Sequence, residues 1–486
     1  MKKVLALMLT LILVVGILAA CKQNDEPAVW KDDTIGQGFR VGFARVDITN
    51  RVPVPMAGFG NTSERVSASI GTRLYANCIA VTTADEQTVF FVDVDYQRAY
   101  GSRLTVVEQW IEERLGIPGQ NLIVTATHTH AAGDLFNKTA GDCVEDTARV
   151  YQEGVYESCV EALADRKPAE AYLGSIDTER MNFVKHYKYV DADGNTQYFG
   201  DNFGTAVYDG TTTHATEADP TMYIVQFKRE GEKDIIMANW RAHAHFGTSA
   251  SSRVISSDYP GAFQTAMEAK YDCHFAYFEG FAGNMNATTR LSYERRTTDM
   301  AQYGSILADY AIDCINKNMK KVETGKLVLK QDTLDMPYNH TTDHLLMAAK
   351  NVQQIWTQTN NQEAAKAAGK EFGIRSPYHA GSIISRANAG ATTPVELTTV
   401  SFSPEFAIGT CVGEPFDTLG EYVEARSPYP TTMCFGYTNG EDGYMPSAIG
   451  WEYTSYESDC SKLCPGSGEE VMDHMISMLN EIKAAQ

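Results

Sequence analysis

The apolar positions of this chain fall into short blocks that end on polar residues. Leu122–Ala126 is a β-rich apolar run and reads as a buried strand. It leads into Thr127-His128-Thr129-His130 and then Ala131-Ala132-Gly133. Strand alternation carried through that stretch places both imidazoles on one face, about 7 Å apart at ~3.3 Å per residue. Upstream, Phe39–Ile48 and Tyr75–Thr83 alternate like strands, and Thr88–Val94 reads as a buried one. Over Leu104–Leu115 the residues Val107, Trp110, Ile111 and Leu115 recur at helical spacing, with Ser102 placed as a cap and Gly116 as a stop. Strand 88–94, helix 104–115 and strand 122–128 compose a βαβ unit, hence parallel strands joined by a right-handed crossover. Asp93 and Asp95 then stand at the carboxyl end of one strand, and His128 and His130 at that of the next. Open α/β sheets gather their ligands along that edge.

The same grammar recurs downstream. Asp234–Trp240 runs into Arg241-Ala242-His243-Ala244-His245, and Cys273–Phe278 into Glu279 to Asn286. Phe406–Val412 ends at Gly413-Glu414 before a helix-like Pro415–Ala425, and Thr432–Tyr437 ends in Thr438 to Tyr444. Several strands thus deliver metal-competent side chains at one kind of position, which favours a shared site over isolated structural histidines. Thr297–Lys317, Leu345–Thr357 and Glu469–Ala484 carry helical periodicity, and their apolar stripes read as core. Tyr187–Gly204, rich in Asp, Gly and Asn, reads as a long surface loop. Met56–Asn61 is glycine-rich but lacks the spacing and the following helix of a dinucleotide loop. The pattern predicts an α/β fold: a mixed β-sheet core with flanking helices, the site at the strand carboxyl ends, in a single large domain over 38–486.

The first residues belong to another category. Lys2 and Lys3 precede an apolar run from Val4 to Leu18, then Ala19-Ala20-Cys21. That is a secretory signal over 1–20 with a lipobox-like ending, which predicts lipid on Cys21. Residues 21–37 read as a flexible tether, so the expected location is the cell envelope, outside the cytoplasm and lipid-anchored at Cys21. The net charge of −21 argues against nucleic acid as a partner, leaving the N-terminal lipid as the contact with a membrane. Ten cysteines become nine once Cys21 carries lipid, an odd number. No C-x-x-C motif occurs; Cys460 and Cys464 could bridge or remain reduced.

Neither a G-x-S-x-G elbow, an H-E-x-x-H helix nor a P-loop is present. Histidine, carboxylate and tyrosine on strand ends remain, a donor set suited to Zn²⁺ with a position left open for water. Such a metal makes water reactive near neutral pH and polarises a carbonyl, as amide hydrolysis requires.

Taken together, Gly42-Phe43-Ala44-Arg45-Val46-Asp47-Ile48-Thr49, Met56-Ala57-Gly58, Gly71-Thr72-Arg73-Leu74, Thr127-His128-Thr129-His130 and Asn239-Trp240 form an ordered series. Ser257-Asp258-Tyr259-Pro260-Gly261, Gly413-Glu414, Gly436-Tyr437-Thr438-Asn439, Tyr444, Glu452-Tyr453 and Tyr456-Glu457 continue it. In order and spacing the chain resembles the neutral/alkaline non-lysosomal ceramidase family over nearly its whole mature length, without the C-terminal domain of the longer members. The resemblance implies a zinc amidase that splits the N-acyl bond of ceramide or a related acylated amine. It implies His128, Glu414 and Tyr444 as metal ligands, with a second histidine at His243 or His245, His243 being preferred. It implies catalytic or substrate-side roles for His130, His245 and Tyr456. Two departures stand out. Asn286 occupies the place of the family's reaction-centre serine, where its amide can still donate to an oxyanion. The family's arginine-bearing N-R-S segment is here Asn182-Phe183-Val184-Lys185-His186-Tyr187. The rival expectation is a surface-anchored lipoprotein of the same fold that binds metal and ligand without turnover.

Overall fold

Alternation decides the two faces of a large sheet. Ala76, Cys78, Ala80, Phe90 and Val92 turn to one side and pack on Leu104, Val107, Ile111, Ala148, Tyr151 and Val155 of two helices, Gly101–Leu115 and Asp142–Ala164. Their neighbours Ile79, Val81, Val89 and Phe91 turn to the other side and meet Val400, Phe406, Ile408 and Phe435 of a second sheet. The computed structural model describes residues 34–59, 65–136, 141–200, 212–287, 297, 299–387, 389–440, 443–453 and 455–486. Across them the layers run helices, large sheet, second sheet, helices. The outer face of the second sheet, through Leu397, Ala407 and Cys434, lies under Met472, Met475 and Leu479 of the helix Ser467–Ala485. Phe91 is fully buried between the sheets against Phe278 and Phe402, and truncating it to alanine would cost about 3–5 kcal/mol.

Among the described residues the large sheet has nine strands. Its order is Cys273–Glu279, Asp234–Trp240, Thr221–Arg229, Lys167–Asp177, Arg40–Asp47, Tyr75–Thr82, Thr88–Val94, Leu122–Ala126, with Lys320–Lys321 pairing beside Lys167–Asp177. Along that path the pairs are antiparallel except at the two ends. There Thr88–Val94 runs parallel to Leu122–Ala126, and Asp234–Trp240 parallel to Cys273–Glu279. A helix joins each parallel pair, Gly101–Leu115 for the first and Asp258–Lys270 for the second. The expected βαβ unit is thus present, and the mixed sheet with flanking helices is as predicted. The four-stranded second sheet repeats the device, with Phe406–Cys411 and Thr431–Phe435 parallel across Asp417–Glu424.

Curling of the large sheet brings its ends together. The Tyr277 N–H donates to Asp93 Oδ2 at 2.9 Å, from one end strand of the sheet to the strand next to the other end. The second sheet is tied to both ends, through Asn439 N–H to Val124 O at 2.9 Å and Gly436 N–H to Glu279 O at 3.1 Å. The carboxyl ends of three parallel pairs therefore converge on one place.

Several expectations need correction. The strand expected over 122–128 stops at Ala126, because His128 takes a left-handed φ of 60°. Ser102 does not cap the helix; the cap is Tyr100, and Gly101 opens the helix where a Cβ would strike Asn439 O. Asp93 and Asp95 serve the scaffold, Asp93 accepting from Asn77 and Tyr277, Asp95 from Tyr75 N–H and Thr127 Oγ1. Tyr187–Gly204 is no plain loop, since His186–Val190 and Thr196–Gly200 pair antiparallel as a hairpin. Its turn is fastened by Asp191 Oδ1, which accepts from the Asp193 and Asn195 N–H groups. Cys460 and Cys464 are free thiols, as are the other described cysteines. The signal segment, Cys21 and most of the tether lie outside the described residues, as do Asn61, the end of the 187–204 stretch, Glu441 and Asp442. Among the described residues no helix is long and apolar enough to cross a membrane.

Candidate metal centre

Each metal-competent side chain is aimed by backbone just past a strand end. The Thr127 N–H makes a last contact with Val94 O at 2.9 Å, and the chain then turns at His128. A left-handed conformation disfavours a side chain by roughly 1 kcal/mol or more, and such strain persists where surroundings enforce it. Here Gln97 O holds His128 Nδ1 at 2.8 Å, and the Tyr437 ring lies 4.2 Å away between centroids. His130 donates its N–H to Ala244 O at 3.0 Å, and the buried Arg65 donates to His130 O at 2.7 Å. Gly58, at φ 100°, passes so close that a Cβ there would lie 2.5 Å from the His130 side chain. No other residue type fits that approach.

At the far end of the sheet the Glu279 carboxylate accepts the Ala242 N–H at 2.7 Å, and the His243 N–H donates to Met285 O at 3.0 Å. His243 Nδ1 is 2.9 Å from Ala282 O. Glu414 and Tyr444 lie just past the strands Phe406–Cys411 and Thr431–Phe435, directly opposite each other in a short parallel pair of their own.

The result is a buried convergence of lone pairs. Nδ1 of both His128 and His243 faces a carbonyl oxygen, which can only accept, so Nδ1 carries the hydrogen and Nε2 presents a lone pair. His243 Nε2 lies 3.3 Å and His128 Nε2 3.6 Å from Glu414 Oε2. His243 Nε2 and Glu414 Oε2 are buried with no hydrogen-bond partner among the described residues. Separations near 3.3 Å are the edges of a tetrahedron with about 2.0–2.1 Å from centre to donor, which suits a small divalent cation. One nitrogen from each of His128, His130 and His243 also falls within 4.8 Å of the others.

Burial sets the charge of these groups. It pushes His128 down to about 3, with Glu414 opposing and His243 adding to the fall. His130 and His243 are likewise held well below the usual imidazole range, by burial first and then by close neighbours, His128 and His245 for His130 and Lys185 and His245 for His243. Neutral imidazoles beside a carboxylate are ligands in the correct protonation state. Tyr444 is pushed up by burial and by Glu414, so without a cation it stays a phenol.

The eight residues singled out from sequence are distributed around this point. Of the two alternatives, His243 faces Glu414, and His245 stands half-buried, 5.7 Å from the His243 ring and 5.4 Å from that of His130. His130 is not 7 Å from His128; their Nε2 atoms are 3.1 Å apart, because the left-handed turn folds both rings into one cavity. Tyr444 stacks on His243 at 6.3 Å between ring centroids. Asn286 is buried in register beside His243. Tyr456 lies farther out, 5.8 Å from the Tyr444 ring and 45 % exposed.

Sequence reasoning missed a second buried charge system. Lys185 Nζ sits 5.3 Å from the Tyr444 ring centre and 2.8 Å from Glu457 Oε1, and Glu457 Oε2 is 2.8 Å from His186 Nε2. Burial works against the Glu457 charge, but Lys185 and His186 hold its carboxyl well below the usual range. The signal was present, since Lys185-His186 is a charged pair behind the apolar Phe183-Val184. Its partner lies 271 residues away from His186.

Residues 39–288 match the family described as neutral/alkaline non-lysosomal ceramidase, N-terminal. The chain is 24 % identical over 294 residues to "Neutral ceramidase 1" of Arabidopsis thaliana, across 53 % of this chain and 37 % of that protein. The aligned part thus spans little more than a third of the curated relative. In three dimensions the chain superposes on the neutral ceramidase of Pseudomonas aeruginosa with a TM-score of 0.70, covering 92 % of this chain and 75 % of that one, at 15 % identity. A second solved structure, "Ceramidase complexed with C2", gives 0.69 over 92 % and 76 %, also at 15 % identity. At such identity the superpositions establish a shared fold.

Proposed function

Since the chain belongs to the neutral/alkaline non-lysosomal ceramidase family, we propose that it is a zinc-dependent hydrolase of an N-acyl amide, ceramide or a related acylated amine. One observation carries the reading: His128 Nε2, His243 Nε2 and Glu414 Oε2 face one another across 3.3–3.6 Å with both histidine tautomers fixed by backbone carbonyls. His243 Nε2 and Glu414 Oε2 have no hydrogen-bond partner among the described residues, and two buried lone pairs so placed repel one another unless a cation lies between them. Imidazole with carboxylate favours zinc over magnesium or calcium, and Tyr444, opposite Glu414 in the strand pair, completes the set. Zinc held there would activate water and polarise the scissile carbonyl.

The chain's own groups take the remaining roles. His130, neutral and beside His128, accepts a proton from the attacking water and returns it to the leaving amine. The Asn286 amide donates to the oxygen that gains charge as the carbonyl is attacked. His245 orients His130, and Tyr456, at the rim, orients the amide. The lipid at Cys21 would hold this body at the membrane from which an acylated substrate is drawn.

The test is release of fatty acid from an N-acyl sphingoid base by the zinc-loaded protein, abolished in His128→Ala with the fold retained by circular dichroism. Tight binding of zinc and ligand without turnover of any amide or ester would instead describe a capture protein.

A further inference from the structure

A line of aromatic rings leads from the metal centre to the surface. Tyr444 stacks on His243, Tyr456 meets Tyr444 edge-on, and Tyr378 meets Tyr456 edge-on at 6.5 Å. Exposure rises along the line, to 45 % at Tyr456 and 51 % at Tyr378. Tyr378 belongs to Pro377–Arg386, the last of three α-helices that follow the strand Val328–Pro337 and precede Thr392–Ser401. The first two are Asp343–Thr359 and Gln362–Gly369. This insert lies beyond the stretch 39–288 that matches the family. It has a small core of its own, with Ala349, Val352, Ala365 and Ile383.

The insert is fastened to the short helix Tyr456–Cys460 that carries Tyr456. Arg375 and His379 both pair with the Asp459 carboxylate, and Arg386 donates to Ser461 O at 2.6 Å. The charges around Tyr378 are thereby engaged with one another, and what the insert offers at the rim is an aromatic surface. Met347 and Phe372, both exposed, lie on the same insert. Two exposed tyrosine rings in contact with each other beside a buried reaction centre, Tyr456 and Tyr378, mark the place where an apolar part of a ligand is received.

We propose that Tyr378 determines substrate specificity: its ring, which lies outward of Tyr456, receives the acyl hydrocarbon chain of the substrate while the amide lies at the metal centre. The inference rests on the function proposed above. A tyrosine ring offers a large, rigid contact area at little entropic cost and keeps its hydroxyl in water.

The experiment compares acetyl and palmitoyl amides of one sphingoid base in Tyr378→Ala, Tyr378→Phe and the wild type. Tyr378→Ala should raise KM for the palmitoyl substrate about fivefold, an aromatic contact of ~1 kcal/mol, and leave the acetyl substrate unchanged. Tyr378→Phe should match the wild type on both. Equal changes for the two chain lengths, or none, would overturn the inference. Calorimetric binding of short- and long-chain sulfonamide analogues, which cannot be hydrolysed, reads the same preference without turnover. A protein that shows Tyr378-dependent chain preference in binding but cleaves nothing keeps this inference and loses the catalytic one.

Discussion

His243 Nε2 and Glu414 Oε2 face each other at 3.3 Å inside the protein, and neither has a hydrogen-bond partner among the described residues. Two buried acceptors so placed destabilise the metal-free protein and stabilise the loaded one. Glu414→Gln should therefore raise the melting temperature in chelator, because an amide N–H can donate to the imidazole, by about 1 kcal/mol of stability. It should also remove the stabilisation that zinc confers on the wild type, and lower activity at least a hundredfold. Thermal unfolding with and without zinc reads both effects, which have opposite signs.

Gly58→Ala tests how tightly the His130 ring is bounded. The new Cβ would lie 2.5 Å from the His130 side chain, at a φ of 100° that alanine resists. We expect a stability loss of about 1–3 kcal/mol in urea unfolding. With His130 displaced, kcat should fall more than KM rises.

The Lys185–Glu457–His186 system should matter to stability in a pH-dependent way. Glu457 is held well below its ordinary carboxylate value, so its contribution is complete above about pH 4.5 and is lost as the pH falls through the lowered value. Glu457→Gln leaves the Lys185 ammonium buried without a charge partner, and the expected loss at neutral pH is about 3–5 kcal/mol. Urea unfolding of both proteins from neutral pH to about pH 3 should show the gap narrowing on acidification.

Asn286→Ala addresses the residue that stands where the family has serine. Loss of an oxyanion donor typically lowers kcat by about 10²–10³ with little change in KM. Steady-state kinetics on an N-acyl amide decides it; an unchanged kcat would remove Asn286 from the chemistry.

Much of the scaffold was legible in the apolar blocks. Leu122–Ala126, Thr88–Val94 and Asp234–Trp240 are strands within the predicted bounds, because short apolar runs closed by polar residues have few other ways to be buried. The helical stretch between Thr88–Val94 and Leu122–Ala126 disclosed their parallel pairing, whereas that of Asp234–Trp240 with Cys273–Glu279 was not foreseen. Half-polar strands were less legible. Val328–Pro337 carries Lys330, Asp332 and Asp335 on one strand, and the hairpin turn at Asp191–Asn195 has the composition of any loop. At the site, the strand endings singled out the histidines, and the family resemblance supplied the roles of Glu414, Tyr444 and Tyr456. Neither disclosed the left-handed turn at His128 or the carbonyls of Gln97 and Ala282 that set the tautomers. A backbone carbonyl has no residue-type signature, and its position depends on how the ends of the sheet curl together.

The most direct test is the metal content of the purified protein measured alongside its activity. The account predicts one zinc per wild-type chain. It predicts none in a His128→Ala, Glu414→Ala double variant that still folds, and amide hydrolysis that disappears with chelation and returns with zinc. Full hydrolytic activity in wild-type protein stripped of metal, or one equivalent of zinc retained by the double variant, would contradict it.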